Sequence, residues 1–87
     1  MGASPGFGEN QMSMNLAFKD GDYIVDFPFQ TPTRLSYAVI ACDNTVGKLR
    51  LIKDHLKSWN WPLEEITWTL GKIKIMLEDE NLELIVI

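Results

Sequence analysis

The residue types that most often carry out chemistry in proteins are scarce in this chain. His55 is the only histidine and Cys42 the only cysteine among 87 residues. Nucleophilic catalysis usually needs a nucleophile, a base and a group that orients the base. Zinc sites need several His or Cys ligands at set spacings. The sequence therefore predicts a protein that is not an enzyme and that uses no metal and no cofactor.

Each of these two residues has a structural and a functional interpretation. His55 lies among Lys53, Asp54 and Lys57, off the apolar stripe of its predicted helix, which indicates an exposed surface histidine. Cys42 directly precedes a predicted helix start, where a thiol pKa can be lowered. A small-ligand binder with a pocket between helices and sheet near Cys42 is one alternative function. Cysteine is among the residue types most often buried in proteins, which favours a buried structural cysteine instead.

The carboxylates form two groups without the spacing of a known site. Asp20 and Asp22 flank Gly21, where Asp is expected for turn geometry alone. The acidic run at 78–80 separates two predicted elements. Neither group has the alternating ligands of a calcium loop, so we interpret both as structural.

Basic residues are concentrated on one predicted helix. Half of the eight Lys and Arg residues fall within ten positions, at Lys48, Arg50, Lys53 and Lys57, and Trp61 follows them. Basic residues beside aromatic ones can bind a nucleic-acid backbone and stack on bases, so a nucleic-acid-binding regulator is a second alternative. The formal net charge of −4 disfavours this partner, and a solvated outer face is the favoured interpretation.

Length and composition predict one small domain. Residues 1–11 are rich in Gly, Ser and Pro and are interpreted as a flexible tail or an expression remnant, followed by a single domain over 12–87. No apolar run approaches the roughly 20 residues of a membrane span, and the N-terminus has no signal-peptide pattern. Together with the single cysteine, these features predict a cytoplasmic protein without membrane contact.

The clearest local signal is a β-hairpin. Alternating apolar residues run from Met14 to Phe18 and again from Tyr23 to Phe27. A two-residue turn at Asp20-Gly21 pairs Phe18 with Tyr23. The same register pairs residue 16 with 25 and residue 14 with 27, which gathers the large apolar side chains on one face.

The remaining chain predicts an α+β fold of order β-β-β-α-α-β. Alternation over 34–42 predicts a third strand of an N-terminal meander. Asp43-Asn44-Thr45 opens a helix that runs to about Ser58. Residues 62–79 favour a second helix, although they also alternate like a hairpin. Residues 82–87 predict a final strand, and the antiparallel sheet is expected to pack against the two helices.

Taken together, these features predict a non-catalytic protein-interaction or regulatory module. An exposed apolar edge strand invites pairing with another chain, so self-association through the C-terminal strand is expected. The residues assigned to this edge are Leu82, Leu84, Ile85, Val86 and Ile87. A protein partner or a second copy is the expected binding partner, and the alternative partner surface is Lys48, Arg50, Lys53, Lys57 and Trp61.

Overall fold

A computed structural model describes residues 14–87 and confirms the α+β class. Its elements are β1 (Leu16–Asp20), β2 (Tyr23–Asp26), α1 (Thr33–Ala41), α2 (Thr45–Ser58), α3 (Leu63–Lys74), a π-helical turn (Ile75–Asp79) and β3 (Glu83–Val86). The order is therefore β-β-α-α-α-β, with one strand fewer and one helix more than expected. The interpretation of residues 1–11, and of residue 12 as the domain start, lies outside the described residues.

The hairpin forms, but its register differs from the prediction. Phe18 pairs with Val25, and Asp20 pairs with Tyr23. Gly21 has φ of 63°, and it occupies the first central turn position, where glycine accepts a positive φ without steric cost. The predicted turn would have required a positive φ at Asp20. Tyr23 is consequently 73% exposed rather than part of the core.

The register shift preserves the faces of the hairpin. Moving the pairing by two residues keeps every side chain on its predicted side, because side chains alternate with a period of two. Leu16, Phe18 and Phe27 are buried. The rings of Phe18 and Phe27 stack with centroids 5.5 Å apart. The apolar face of the hairpin is therefore one part of the core.

The predicted third strand over 34–42 is wrong, because this segment forms α1. Its apolar residues satisfy both a period of two and a helical spacing. Ser36 and Val39 are fully buried, whereas Tyr37 and Ile40 are exposed by 51% and 36%. Pro32 precedes the first helical residue, and its carbonyl accepts the first helical hydrogen bond, from Ser36 N.

The place beside β1 is taken by the C-terminal strand. The sheet has the order β2-β1-β3, and β3 runs antiparallel to β1 with Phe18 opposite Leu84. The predicted N-terminal three-stranded meander is therefore replaced by a sheet whose central strand is β1. The predicted final strand is confirmed.

The two predicted helices are confirmed. Asn44 caps α2, and its side-chain oxygen accepts a hydrogen bond from Gly47 N at 2.7 Å. The contested segment is helical, since α3 begins after Pro62, carries Glu64 and Glu65 in its first turn and continues into the π-helical turn. Carboxylates in this position interact favourably with the helix dipole.

The core lies between one face of the sheet and the three helices. Its fully or nearly fully buried members are Leu16, Phe18, Phe27, Val39, Ile52, Leu56, Ile66 and Ile73. α1 contacts both β3 and α2, and α2 contacts α3. Helices that are consecutive in the chain are therefore neighbours in space. Of the helices in residues 14–87, none combines the length and apolar character needed to cross a membrane.

Candidate interaction surfaces

The first candidate surface is the outer edge of β3. Asn15 and Ile87 exchange two backbone hydrogen bonds of 3.0 and 2.9 Å. In an antiparallel ladder, hydrogen-bonded and non-hydrogen-bonded pairs alternate. Ile85 N–H and C=O therefore also point toward β1, whereas those of Leu84 and Val86 point outward. Within residues 14–87, these outward groups have no hydrogen-bond partner.

The side chains of the predicted edge divide between two faces. Leu82, Leu84 and Val86 pack against the core. Ile85 lies on the opposite face, half-buried, and Ile87 is 51% exposed. The predicted association edge is thus an edge in the structure, but three of its five side chains contribute to the fold.

Lys48 does not belong to the predicted basic partner surface. Its Nζ donates hydrogen bonds to the carbonyls of Val39 (2.9 Å) and Cys42 (2.7 Å) at the C-terminal end of α1. A cation is favourable there because the carbonyls at a helix C-terminus carry partial negative charge. Lys48 therefore joins α2 to α1. At about 100° per residue, the helix also turns it roughly 160° away from Arg50.

The other three basic residues lie together in a groove. Arg50, Lys53 and Lys57 line a surface cavity of about 310 Å³ between α2 and α3. The remaining lining residues are Val46, Leu49, Asp54 and Leu70. Val46, an apolar residue, is 67% exposed. The groove therefore combines cations with exposed apolar surface.

Trp61 adjoins this groove but packs against another aromatic ring. A second cavity, of about 270 Å³, is lined by Lys57, Trp61 and three neighbouring residues of the α2–α3 junction. The Trp61 ring is half-buried, and it packs edge-on against Phe29 at 5.5 Å. This packing leaves less of the indole face free to stack on a base than the nucleic-acid interpretation requires.

His55 is more buried than the sequence analysis expected. Its ring packs edge-on against Trp59 with centroids 4.2 Å apart. Its Nε2 is buried without a hydrogen-bond partner among the described residues. Burial lowers the pKa of His55 below its ordinary value of 6.5, because desolvation disfavours the imidazolium. The exposed interpretation of this histidine is therefore wrong.

The cavity between α1 and α2 does not lie at Cys42. It has a volume of about 380 Å³ and is lined by Pro32, Arg34, Leu35, Ala38 and His55. These residues belong to the beginning of α1 and the later part of α2. Cys42 follows the other end of α1, and is half-buried. None of the three cavities described within residues 14–87 is lined by Cys42, and a ligand pocket near Cys42 stays a prediction.

The carboxylates do not converge on a site in the described part of the chain. Within residues 14–87, no group of three or more His, Cys, Asp or Glu side chains is placed to hold a metal ion. Asp20 and Asp22 flank the hairpin glycine, and Glu78 and Asp79 end the π-helical turn. The described residues therefore offer two candidate surfaces, an open strand edge and a basic groove.

Comparisons with known proteins add no relative to this description. The sequence matches no family model and no curated protein, and the structure matches no solved structure. The function is therefore inferred from the geometry of the two surfaces.

Proposed function

We propose that this chain is a non-catalytic protein-interaction module that associates with a second copy of itself through the outer edge of β3. The observation that supports the proposal is the pair of outward-facing residues, Leu84 and Val86, whose backbone groups have no partner within residues 14–87. An exposed strand edge of this kind is a template for another strand.

Backbone groups along β3 alternate between facing β1 and facing outward, which allows a symmetric register. In a two-fold antiparallel pair centred on Ile85, Leu84 of each copy lies opposite Val86 of the other. Both outward residues then exchange hydrogen bonds, which gives four in total, and the two Ile85 side chains form the closer, non-hydrogen-bonded pair. The two three-stranded sheets would become one continuous sheet.

The expected affinity is low. Four backbone hydrogen bonds contribute about 0.5–1.5 kcal/mol each. Contacts of Ile85 and Ile87 add on the order of 1.5–3 kcal/mol per fully buried side chain. Association costs roughly 4–15 kcal/mol in lost freedom. These gains and this cost are of similar size, so we expect the association to be weak and to require measurements at high protein concentration.

The first experiment removes one outward donor. Val86→Pro eliminates an N–H that faces away from β1, and proline is tolerated at such edge positions. Val86→Ala is the matched control, because it removes a similar amount of side-chain packing and keeps the N–H. Sedimentation equilibrium should show association for the intact chain and for Val86→Ala, and a monomer for Val86→Pro with an unchanged circular dichroism spectrum.

The second experiment tests whether the partner is another copy. Ile85→Lys and Ile85→Glu should each be monomeric, because like charges would lie directly opposite each other across the two-fold axis. An equal mixture of the two variants should associate, since unlike charges then face each other. An intact chain that stays monomeric at about 5 mM, where even a dissociation constant of about 1 mM leaves most chains dimeric, would contradict the proposal. So would association of Val86→Pro equal to that of Val86→Ala.

The two alternative functions have less support from the described residues. For nucleic-acid binding, Lys48 is engaged with α1, Trp61 is packed on Phe29, and Asp54 lies within the basic groove. For ligand binding near Cys42, the cavity described between the first two helices is lined by residues of the other end of α1. We therefore propose neither of them as the function.

A further inference from the structure

One side of α2 carries a stripe made of one valine and three cations. Val46, Arg50, Lys53 and Lys57 follow one another at spacings of four, three and four residues, so they form a single stripe along the helix. The three cations are separated by about 4.5 and 6 Å along the helix axis. Among the described residues, none of the three has an ion-pair or hydrogen-bond partner.

The stripe borders an apolar wall supplied by α3. Leu70 lines the same cavity as Arg50 and Lys53. Leu63 and Ile66 line the neighbouring cavity, and Lys57 is common to both. Leu63 is 69% exposed. Lys57 lines both cavities, and we name the two adjoining cavities together the α2–α3 groove.

The length of the α2–α3 groove limits what can occupy it. From Val46 to Lys57 the helix rises about 17 Å, which is the length of roughly three turns of an α-helix. Its two kinds of surface, an apolar wall and a line of cations, lie side by side. An amphipathic helix fits such a surface. Its apolar face packs against the wall, and the charged residues beside that face reach the cations.

We infer that the α2–α3 groove binds an acidic amphipathic helix of a partner protein. The apolar stripe of that helix packs against Val46, Leu63 and Leu70. Its Asp or Glu residues, spaced by three and four, face Arg50, Lys53 and Lys57. Charge complementarity supports this partner, because three cations without a partner among residues 14–87 gather here in one stripe.

The groove suits a protein helix better than nucleic acid. Asp54 lies among the cations and would repel a phosphate backbone, whereas an acidic helix presents uncharged side chains between its carboxylates. Leu49 and Leu70 offer apolar surface that phosphates and sugars do not use. Trp61 is packed against Phe29 rather than free to stack.

The experiment uses the intact chain as bait for a displayed library of random 16-residue peptides, a length of roughly four helical turns. The expected result is enrichment of peptides with Asp or Glu at spacings of three and four beside apolar residues. A chemically synthesised copy of the most enriched peptide is then measured by fluorescence anisotropy. Its helicity should rise on binding, as followed by circular dichroism.

Two charge variants provide the comparison. Arg50→Gln/Lys53→Gln/Lys57→Gln should weaken binding of that peptide at least ten-fold, because it removes the three facing cations. Lys19→Gln/Lys72→Gln/Lys74→Gln makes the same change in net charge outside the groove, and should leave binding within two-fold. Circular dichroism of both variants checks that each is folded.

Other outcomes would overturn the inference. Failure to enrich any peptide above a bait-free surface removes the groove as a helix site. Equal binding by the two charge variants shows that the peptide binds elsewhere. Salt-dependent binding of a labelled single-stranded oligonucleotide that displaces the peptide assigns the groove to nucleic acid instead. None of these results depends on β3, so the inference and the proposed self-association are tested separately.

Discussion

At the scale of single residues, one buried hydroxyl connects the sheet to the first helix. Thr31 Oγ1 accepts a hydrogen bond from Leu16 N at 3.1 Å and donates to Asn15 Oδ1 at 3.0 Å. It also lies 2.6 Å from Ser36 Oγ. Thr31 and Ser36 are 4% and 0% exposed, so water cannot replace these bonds in the folded chain. The cluster therefore fixes the start of α1 against β1.

Removing that hydroxyl should destabilise the fold. Thr31→Val keeps the shape of the side chain but leaves the N–H of Leu16 without its acceptor. The free energy of unfolding in urea should fall by about 1–3 kcal/mol. Thr31→Ser is the control, since it keeps Oγ and loses one methyl group, and it should cost about 1 kcal/mol or less. Equal stability of the valine variant and the original chain would show that the cluster is unimportant.

His55 should make stability depend on pH. Its folded-state pKa is lowered by burial, so between that value and the unfolded pKa of about 6.5 the unfolded chain binds more protons. The contribution of neutral His55 to the free energy of unfolding is therefore fully present above about pH 6.5, and it decreases as the pH falls through this window. Below the folded pKa, the contribution of His55 is lost.

The measurement is the urea midpoint between about pH 8 and pH 5, above the range where most carboxylates titrate. His55→Phe preserves a ring against Trp59 and removes the titrating group, so its midpoint should vary less over this range. An identical pH dependence in the two proteins would mean that His55 is not the responsible group.

At the scale of secondary structure, two helical glycines have opposite roles. A Cβ at Gly47 would overlap Cys42 Sγ and approach Asn44 Oδ1, the capping oxygen, to 3.2 Å. A Cβ at Gly71 would meet nothing within 4 Å. The first glycine permits the close junction between α1 and α2, whereas the second is simply a weak helix former in α3.

The same substitution should therefore have opposite signs at the two sites. Gly71→Ala should raise the free energy of unfolding by about 0.5–1 kcal/mol, as alanine does in helix interiors. Gly47→Ala should lower it, because the thiol and the cap must move. In a Cys42→Ala background the loss at position 47 should shrink, and this non-additivity is the signature of direct contact. Stabilisation by Gly47→Ala in the original chain would contradict the steric account.

At the scale of the whole molecule, the net charge of −4 gives little information about either surface. The groove gathers three of the eight basic residues between α2 and α3, while the open edge belongs to β3. The two surfaces share no residue. A copy paired through β3 therefore keeps its own Arg50, Lys53 and Lys57, and the proposed dimer would carry two grooves.

Several parts of the fold follow from local sequence alone. Gly21 between two aspartates specifies a tight hairpin turn. Asn44 caps α2, and Pro62 with two following glutamates begins α3. Each of these signals acts within a few residues, through backbone dihedral preference or a nearby hydrogen bond, so it can be interpreted without knowing the rest of the fold. Helical spacing also separates Lys48 from the other three cations, which is a signal present in the sequence.

Only the tertiary structure decided what residues 34–42 become. Their apolar positions fit a strand and a helix equally well, and the outcome depends on contacts with distant segments. β3, from the opposite end of the chain, occupies the place beside β1, and the hydroxyl of Ser36 is buried against Thr31. The positions of the open edge and the groove also depend on tertiary contacts, because each surface stays exposed only where no remote element packs over it. The sequence by itself determines the presence of the hairpin turn, the helix caps and the scarcity of catalytic residue types, whereas the register of the hairpin and the binding surfaces are decided only in the folded chain.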